Sequence, residues 1–386
     1  MKILVGIKRV IHNLIYKLKL FCLWKMHNNY EHLSCLNEKK DLKLFFTHNY
    51  GGGTKEFEKN YLCKNENVAV VRRLGFEFMK DSFFQIEVVF SGQIERKFLI
   101  KQDKLAMMFT YDYYEIIVNS LFSYRCYTEI QNMIKDYKIK NKSTTVSYYM
   151  HDFHCICPKV NLCVDKHFCN FECEQAKCKF EFVEDTISDW RKNWETFFFY
   201  VDEIRCFSES SKDIFELVYK DMSDKIKVCP HDMSYCKNKP IPNIQNLPLH
   251  IGICGYVSSI EKGNFVCDSI VKKFGSQIPI TFVGTNRKIK YLAQKKVKCL
   301  GKYKRDDLQR IIEKEKISLI IFPSICPETF SYLVSELIMM DIPIISFDLG
   351  AQAEKLKAYE KGKVCQDVNQ MLDLIEKYRI HLENID

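Results

Sequence analysis

The sequence is poor in the residues that interrupt regular structure. It holds only 14 Gly and 9 Pro, which excludes collagen-like and low-complexity architectures. No stretch of about 20 apolar residues occurs, the length that a membrane-crossing helix needs. No acidic residue precedes Glu31, and the one cysteine-dense stretch contains no Cys-x2-Cys pair. The last absence weakens a zinc-ribbon reading.

What is plentiful is cysteine, 18 in 386 residues, together with 47% hydrophobic and 28% charged residues and a net charge of +9. That balance is ordinary for a packed globular protein, and the length predicts two or three domains. A secreted chain this rich in cysteine is expected to be small and disulfide-stapled. This chain is long enough to bury a core without staples, so the thiols are read as reduced and the compartment as cytoplasmic. Residues 1–30 carry six basic side chains and apolar residues at helical spacing (Ile7, Val10, Ile11, Leu14, Leu18, Phe21). Lys17 and Lys19 interrupt what would be a signal-peptide core, and no small-residue cleavage site follows. The segment reads as a basic amphipathic helix, able to lie on the inner face of an anionic membrane or to pack on its own domain.

From residue 42 onward, short apolar runs alternate with helical patterns. Strands are expected at 42–47, 67–72, 85–91, 115–121, 144–150 and 203–208. A second series has strands at 249–255, 278–284, 297–300, 317–323 and 342–347, with helices at 263–274, 287–294, 305–316, 330–340 and 351–361. Continuous apolar strands alternating with helices predict parallel sheets covered on both faces. The fold class is therefore α/β with two doubly wound domains, and ligands belong at the carboxyl ends of the strands. Residues 237–248, with three Pro and four amides, read as a linker. The predicted organisation is a basic segment at 1–40, a first domain at 41–236 with a Cys-rich insertion at 155–180, the linker, a second domain at 249–365, and a C-terminal helix in 366–386 packing back toward the first domain.

The segment 322–338 is the most informative. A strand ends at Pro323, a short loop carries Glu328, and a helix is expected to start near Thr329. Helix N-termini present unpaired N–H groups that favour anions, so a diphosphate fits against Thr329, Phe330 and Ser331. Glu336 follows Glu328 by eight residues, roughly 12 Å along a continuous helix. One carboxylate near a sugar and a second near a ribose suit that spacing; a capping acid and a solvated acid suit it too. The run Pro327-Glu-Thr-Phe-Ser-Tyr-Leu-Val-Ser-Glu336, followed by Ile342-Pro-Ile-Ile-Ser-Phe-Asp-Leu-Gly-Ala-Gln-Ala-Glu354, resembles the Glu-x7-Glu signature of the retaining glycosyltransferases of family four. It looks most like their polysaccharide, O-antigen and rhamnan-synthesis branch. The resemblance implies a GT-B fold, two facing Rossmann-like domains with a nucleotide-sugar in the cleft, with Glu328 at the donor sugar and Glu336 at the ribose. The sequence departs from the family at Asp341, where a Gly usually precedes the Ile-Pro strand.

Three further segments extend the resemblance. Gly252-Ile-Cys-Gly-Tyr-Val-Ser-Ser-Ile-Glu-Lys-Gly263 runs from a strand through a Gly turn at Gly255 to a Lys at a helix start; it is similar to the family segment that places a Lys, here Lys262, on the diphosphate. Tyr256 stands where many members carry a basic residue. The loop His48-Asn-Tyr-Gly-Gly-Gly-Thr54 follows the first strong strand and resembles the branch's glycine loop, which makes Gly51, Gly52 and Gly53 donor-site candidates and His48 a weaker neighbour. Tyr148-Tyr-Met-His-Asp-Phe-His-Cys-Ile-Cys-Pro158 is similar to the branch's His-Asp-aromatic segment, implying that His151 contacts the donor sugar and that Asp152 orients His151 or meets acceptor. Cys155, Cys157, Cys163, Cys169, Cys173 and Cys178 cluster beside it; Cys157, Cys169, Cys173 and Cys178 form the best tetrahedral set for a structural zinc. The other twelve read as small buried hydrophobes.

These features imply a glycosyltransferase of the hexosyl or deoxyhexosyl type. Its donor would be a UDP-, GDP- or dTDP-linked sugar and its acceptor a lipid-linked surface glycan such as lipopolysaccharide. No Asp-x-Asp motif occurs, so no cofactor or divalent ion is expected to be required. Other transferases of one pathway are conceivable partners, and nucleic acid is not expected. Two rivals remain open at this level: a basic Cys-rich nucleic-acid-binding protein, and a GT-B epimerase or sugar-nucleotide binder.

Overall fold

The computed structural model describes Leu18, Cys22 and residues 30–74, 83–173, 186–285 and 296–383. Leu18 and Cys22 are helical; the rest of the basic N-terminal segment lies outside the described residues, as do the expected helix at 287–294 and Cys178. Among the described residues no helix is long and apolar enough to cross a membrane.

The chain forms two compact units. One comprises residues 1–156, 182–205 and 219–227, the other 157–181, 206–218 and 228–386. The elements of the first half are β1 (Lys43–His48), α1 (Gly53–Lys64), β2 (Val68–Arg73), β3 (Phe83–Phe90), β4 (Gln93–Lys101), β5 (Glu115–Val118), α2 (Tyr127–Lys140), β6 (Thr145–Tyr149), the short β7 (Cys163–Val164) and β8 (His167–Phe168), α3 (Ile187–Phe198), β9 (Glu203–Cys206), α4 (Glu209–Val218) and β10 (Ile226–Val228). Then follow β11 (Ile251–Cys254), α5 (Asn264–Phe274), β12 (Ile280–Val283), β13 (Val297–Cys299), α6 (Leu308–Glu315), β14 (Leu319–Phe322), α7 (Tyr332–Met339), β15 (Ile344–Phe347), α8 (Gly350–Lys357), β16 (Gly362–Cys365) and α9 (Val368–Glu383).

The first unit is built on an eight-stranded sheet of order β10-β9-β6-β5-β1-β2-β3-β4. β9, β6, β5, β1 and β2 are parallel neighbours. Their apolar runs, Leu44–Phe46, Val68–Val71 and Ile116–Val118 among them, are wholly buried, as strands covered on both faces require. β3 and β4 add an antiparallel hairpin at one edge, a departure from the all-parallel expectation. On α3, Trp190 lies tilted against Tyr127 of α2 at 4.6 Å and Trp194 stacks on it at 5.9 Å. That helix starts where Thr186 Oγ1 accepts the Asp189 N–H, an N-cap that satisfies one of the helix's orphan donors.

The second unit has a six-stranded sheet of order β13-β12-β11-β14-β15-β16, with every pair parallel. Counted from β11, this is the 3-2-1-4-5-6 order of a dinucleotide-binding sheet. Segment 237–248 has one short 3-10 turn, Ile244–Asn246, and buries Ile241 and Ile244 in this unit's core. α9 lays Met371 and Ile375 into the core of the second unit. The Cys-rich stretch from 157 also belongs to the second unit.

Candidate active site

In the second unit, chain order along the sheet reverses between β11 and β14, the switch point where open α/β sheets leave a crevice. The loops leaving these two strands are joined. Ile325 N–H donates to the Glu261 carbonyl at 3.0 Å, and Ser324 Oγ donates to the same oxygen at 3.3 Å. Gly263 (φ 76°) lies so close to the second loop that a Cβ would stand 1.9 Å from the Pro323 oxygen. The joined loops bring Lys262 Nζ to 2.6 Å from Glu328 Oε1. The pair is accessible on the lysine side: the Lys262 side chain is 43% exposed and that of Glu328 19%.

Burial opposes the charge of Glu328. The Lys262 ammonium, with Ser331 and Lys355 nearby, outweighs it and holds the carboxyl below its usual range. Burial likewise works against the Lys262 charge, and Glu328 more than offsets it, so the ammonium titrates above the ordinary lysine range. The Glu328 backbone is fixed from α8. Gln352 Oε1 accepts the Glu328 N–H at 3.0 Å, while its Nε2 donates to the Cys326 carbonyl at 2.8 Å. Ala351 N–H donates to the Glu328 carbonyl at 2.9 Å.

The helix after Glu328 starts at Tyr332 rather than near Thr329. Thr329 and Phe330 occupy the preceding bend, and Ser331 is the N-cap, in a left-handed conformation (φ 60°). The physical reason is that left-handed turn, which an α-helix cannot pass through; beside it the Lys355 ammonium takes the Phe330 carbonyl and sits 3.4 Å from the centroid of the Phe330 ring. Burial lowers the Lys355 amine to about 8, against the pull of Glu328 and Glu354. The premise of one helix from Glu328 to Glu336 therefore does not hold. Glu336, on α7, has a side chain only 4% exposed and is bonded to Arg305. The Arg305 guanidinium lies over Tyr235 at 4.8 Å and over Tyr332 at 4.9 Å. His231 continues this stack, parallel to Tyr332 at 4.9 Å and 3.9 Å from Phe207; burial pushes its imidazole down to about 3. Gly255 begins the loop after β11.

In the first unit, the other sequence-derived residues gather at the carboxyl ends of β1, β5 and β6. Gly51 and Gly52 lie between β1 and α1, with Gly52 as N-cap and Gly53 as the first helical residue; a Cβ on Gly51 or Gly52 would meet nothing within 4 Å. His48 is buried, and burial lowers its imidazole to about 4; its Nδ1 accepts the Tyr50 N–H at 3.2 Å. His151 Nε2 is 2.7 Å from Asn119 Oδ1, and its ring is 4.7 Å from that of Phe57. Asp152 accepts from Ser120 Oγ at 3.0 Å and from the His154 N–H at 2.9 Å; burial raises its carboxyl in spite of both bonds.

Lys355, Gln352, Arg305 and Asn119 escaped the sequence reading. A lysine in a last helical turn or an arginine at a helix start looks like ordinary surface chemistry, and only the fold gives each its partner. Among the described residues no three His, Cys, Asp or Glu side chains are grouped to hold a metal. Cys157 and Cys169 are buried and Cys173 is partly so. Of the twelve cysteines outside the cluster, Cys126, Cys206, Cys254, Cys267, Cys326 and Cys365 are buried as expected, but Cys22 and Cys63 are exposed.

Compared by sequence, the chain matches no protein-family model and no curated protein. Compared by structure, it is similar to HepE of Anabaena, solved with UDP and glucose: the TM-score is 0.56 at 12% identity, over 88% of this chain and 89% of that one. It is similar to the apo form of the lipopolysaccharide outer core galactosyltransferase WaaB, with a TM-score of 0.54 at 12% identity over 88% and 91%. It is also similar to the catalytic domain of starch synthase IV from Arabidopsis thaliana, with a TM-score of 0.51 at 10% identity over 88% and 92%. This likeness identifies the chain's fold as GT-B, the α/β architecture of two Rossmann-like domains that the sequence implied.

Proposed function

We propose that the protein is a retaining glycosyltransferase of family four, moving a hexosyl or deoxyhexosyl unit from a nucleotide-sugar to a lipid-linked surface glycan. The observation that carries this reading is the Lys262–Glu328 pair at the switch point of a six-stranded parallel sheet. The solved complexes of HepE with UDP and with UDP-glucose support the donor class. The description of WaaB as a lipopolysaccharide galactosyltransferase supports the acceptor class.

In this reading the domain at 249–365 takes the donor and the domain at 41–236 the acceptor. Lys262 and the N–H groups of Thr329, Phe330 and Ser331 receive the diphosphate and stabilise it as it departs. Glu328 holds the donor sugar and offsets positive charge developing at its anomeric carbon. Glu336 meets the ribose, and Gly255 lets backbone approach the donor. Gly51, Gly52 and Gly53, with His151 and Asp152, serve the sugar and acceptor. The bond from anomeric carbon to diphosphate oxygen breaks as the acceptor oxygen bonds on the same face, and the acceptor proton passes to the departing phosphate. The basic N-terminal segment would hold the enzyme at the cytoplasmic face of an anionic membrane, beside other transferases of the pathway.

A thermal-shift screen against UDP-, GDP- and dTDP-sugars and the free nucleotides tests the donor class. A cognate ligand at 100 times its dissociation constant stabilises by about 2.7 kcal/mol, a rise of a few degrees. Glu328→Ala and Lys262→Ala should each abolish transfer and leave the fold intact. A screen in which no nucleotide moves the midpoint, or full activity in either variant, overturns the assignment.

A further inference from the structure

A line of hydrogen bonds crosses the interior of the first unit. Arg72 is bonded to Glu58 through both terminal guanidinium nitrogens, Nη1 and Nη2, and to Glu87 at 2.9 Å. Burial opposes the Arg72 charge, and the two carboxylates outweigh it, so the guanidinium stays charged. Glu58 Oε2 then accepts the Thr47 hydroxyl at 3.0 Å. Thr47 Oγ1 in turn lies 3.3 Å from Asn119 Nδ2. The far end of the Asn119 amide, Oδ1, meets His151 Nε2 at 2.7 Å.

The chemistry of these groups allows one direction of donation. A carboxylate bonded to arginine only accepts, so the Thr47 hydroxyl donates its single proton to Glu58. Thr47 oxygen must then accept from Asn119, which requires the NH₂ end of the amide to face Thr47 and the oxygen to face the histidine. An amide oxygen only accepts, so His151 Nε2 carries a proton, and in the neutral ring Nδ1 is the acceptor nitrogen. Thr47 and Asn119 are themselves wholly buried, which makes each bond costly to leave unmade.

We infer that Asn119 and Thr47 are positioning residues that fix His151 as its Nε2–H tautomer, anchored on the buried Arg72–Glu58 pair. The functional weight of this rests on the reading of His151 as a sugar contact: a ring fixed in this way accepts a hydrogen bond from a donor hydroxyl and does not give one. Asn119 lies at the end of β5 and Thr47 in β1, neighbouring parallel strands on either side of the sheet's own order reversal. The ring is thereby held by the rigid sheet rather than by its own loop.

The test is ring ¹⁵N spectroscopy on the full chain labelled with ¹⁵N-histidine, near pH ~8.5 where an ordinary imidazole is neutral. His151→Gln identifies the His151 signals. The expected spectrum shows Nε2 protonated. Asn119→Ala and Thr47→Val each let the ring relax toward its solution mixture, raising the Nδ1–H share roughly fivefold, the effect of one lost net hydrogen bond. Thr47→Ser, which keeps the hydroxyl, restores the wild-type ratio. An Nδ1–H ring in the wild type overturns the inference, as does an unchanged ratio in Asn119→Ala. If Thr47→Val does not fold, Asn119→Ala decides alone. Adding a nucleotide-sugar tests the underlying reading separately: His151 signals that never respond to any donor refute the sugar contact while leaving the tautomer result standing.

Discussion

At the scale of single residues, Glu336 sits in a nearly closed environment, and its pairing with Arg305 makes that tolerable. The glutamate side chain is 4% exposed and the arginine 28%, with the guanidinium held between Tyr235 and Tyr332. Removing one partner of a buried pair leaves an uncompensated charge and costs about 3–5 kcal/mol. Arg305 is partly wet, so Arg305→Ala should destabilise the protein by about 3 kcal/mol in urea denaturation. Arg305→Met with Glu336→Gln should recover most of that loss. A single variant as stable as the wild type would show that the pair does not matter to folding. Glu336 was legible from its spacing to Glu328. Its partner was not, because Arg305 lies 31 residues away in sequence and the fold alone joins them.

At the scale of elements, the loop carrying Glu328 and the start of α8 fit together through one glycine. Gly350 has φ +60°, and a Cβ there would stand 2.6 Å from both Glu328 N and Pro327 Cα. Gly350→Ala must therefore accept left-handed strain of about 1–2 kcal/mol and push the Glu328 loop off α8, weakening nucleotide-sugar binding as well as stability. Gly51→Ala, which meets nothing within 4 Å, should stay within about 0.5 kcal/mol of the wild type. Equal unfolding midpoints for the two variants would refute this packing argument. The elements that frame the site were the most legible ones. β11, β12, β14 and β15 are four-residue, mostly apolar runs with every residue buried. β4 escaped notice because its first five residues are exposed, so no alternation of apolar and polar residues marks it. The start of α7 was misplaced because Ser331 turns left-handed, which the apolar spacing of the segment does not record.

At the scale of the whole molecule, the number of Rossmann-like halves was legible, while the route of the chain through them was not. Residues 157–181 and 206–218 belong to the second compact unit although they precede most of it in sequence, and local patterns carry no record of such excursions. The cysteines make a related point. Every described cysteine is a free thiol, so cohesion comes from buried apolar strands rather than from cross-links. Burial pushes the thiols of Cys206, Cys254 and Cys365 up to about 12, and a thiol that stays protonated is a poor nucleophile. Cys22 and Cys63 are exposed. A disulfide-exchange reagent at neutral pH should therefore modify these two first and spare the buried set until the protein unfolds. In denaturant, with no reductant, titration should return all 18 thiols of the sequence. Prior treatment with reductant should change neither that number nor the thermal midpoint, because no covalent link joins the described cysteines. A shortfall of two or more thiols, restored by reductant and accompanied by a lower midpoint, would mean that cross-links contribute to stability and that the cytoplasmic, reduced reading of this chain is wrong.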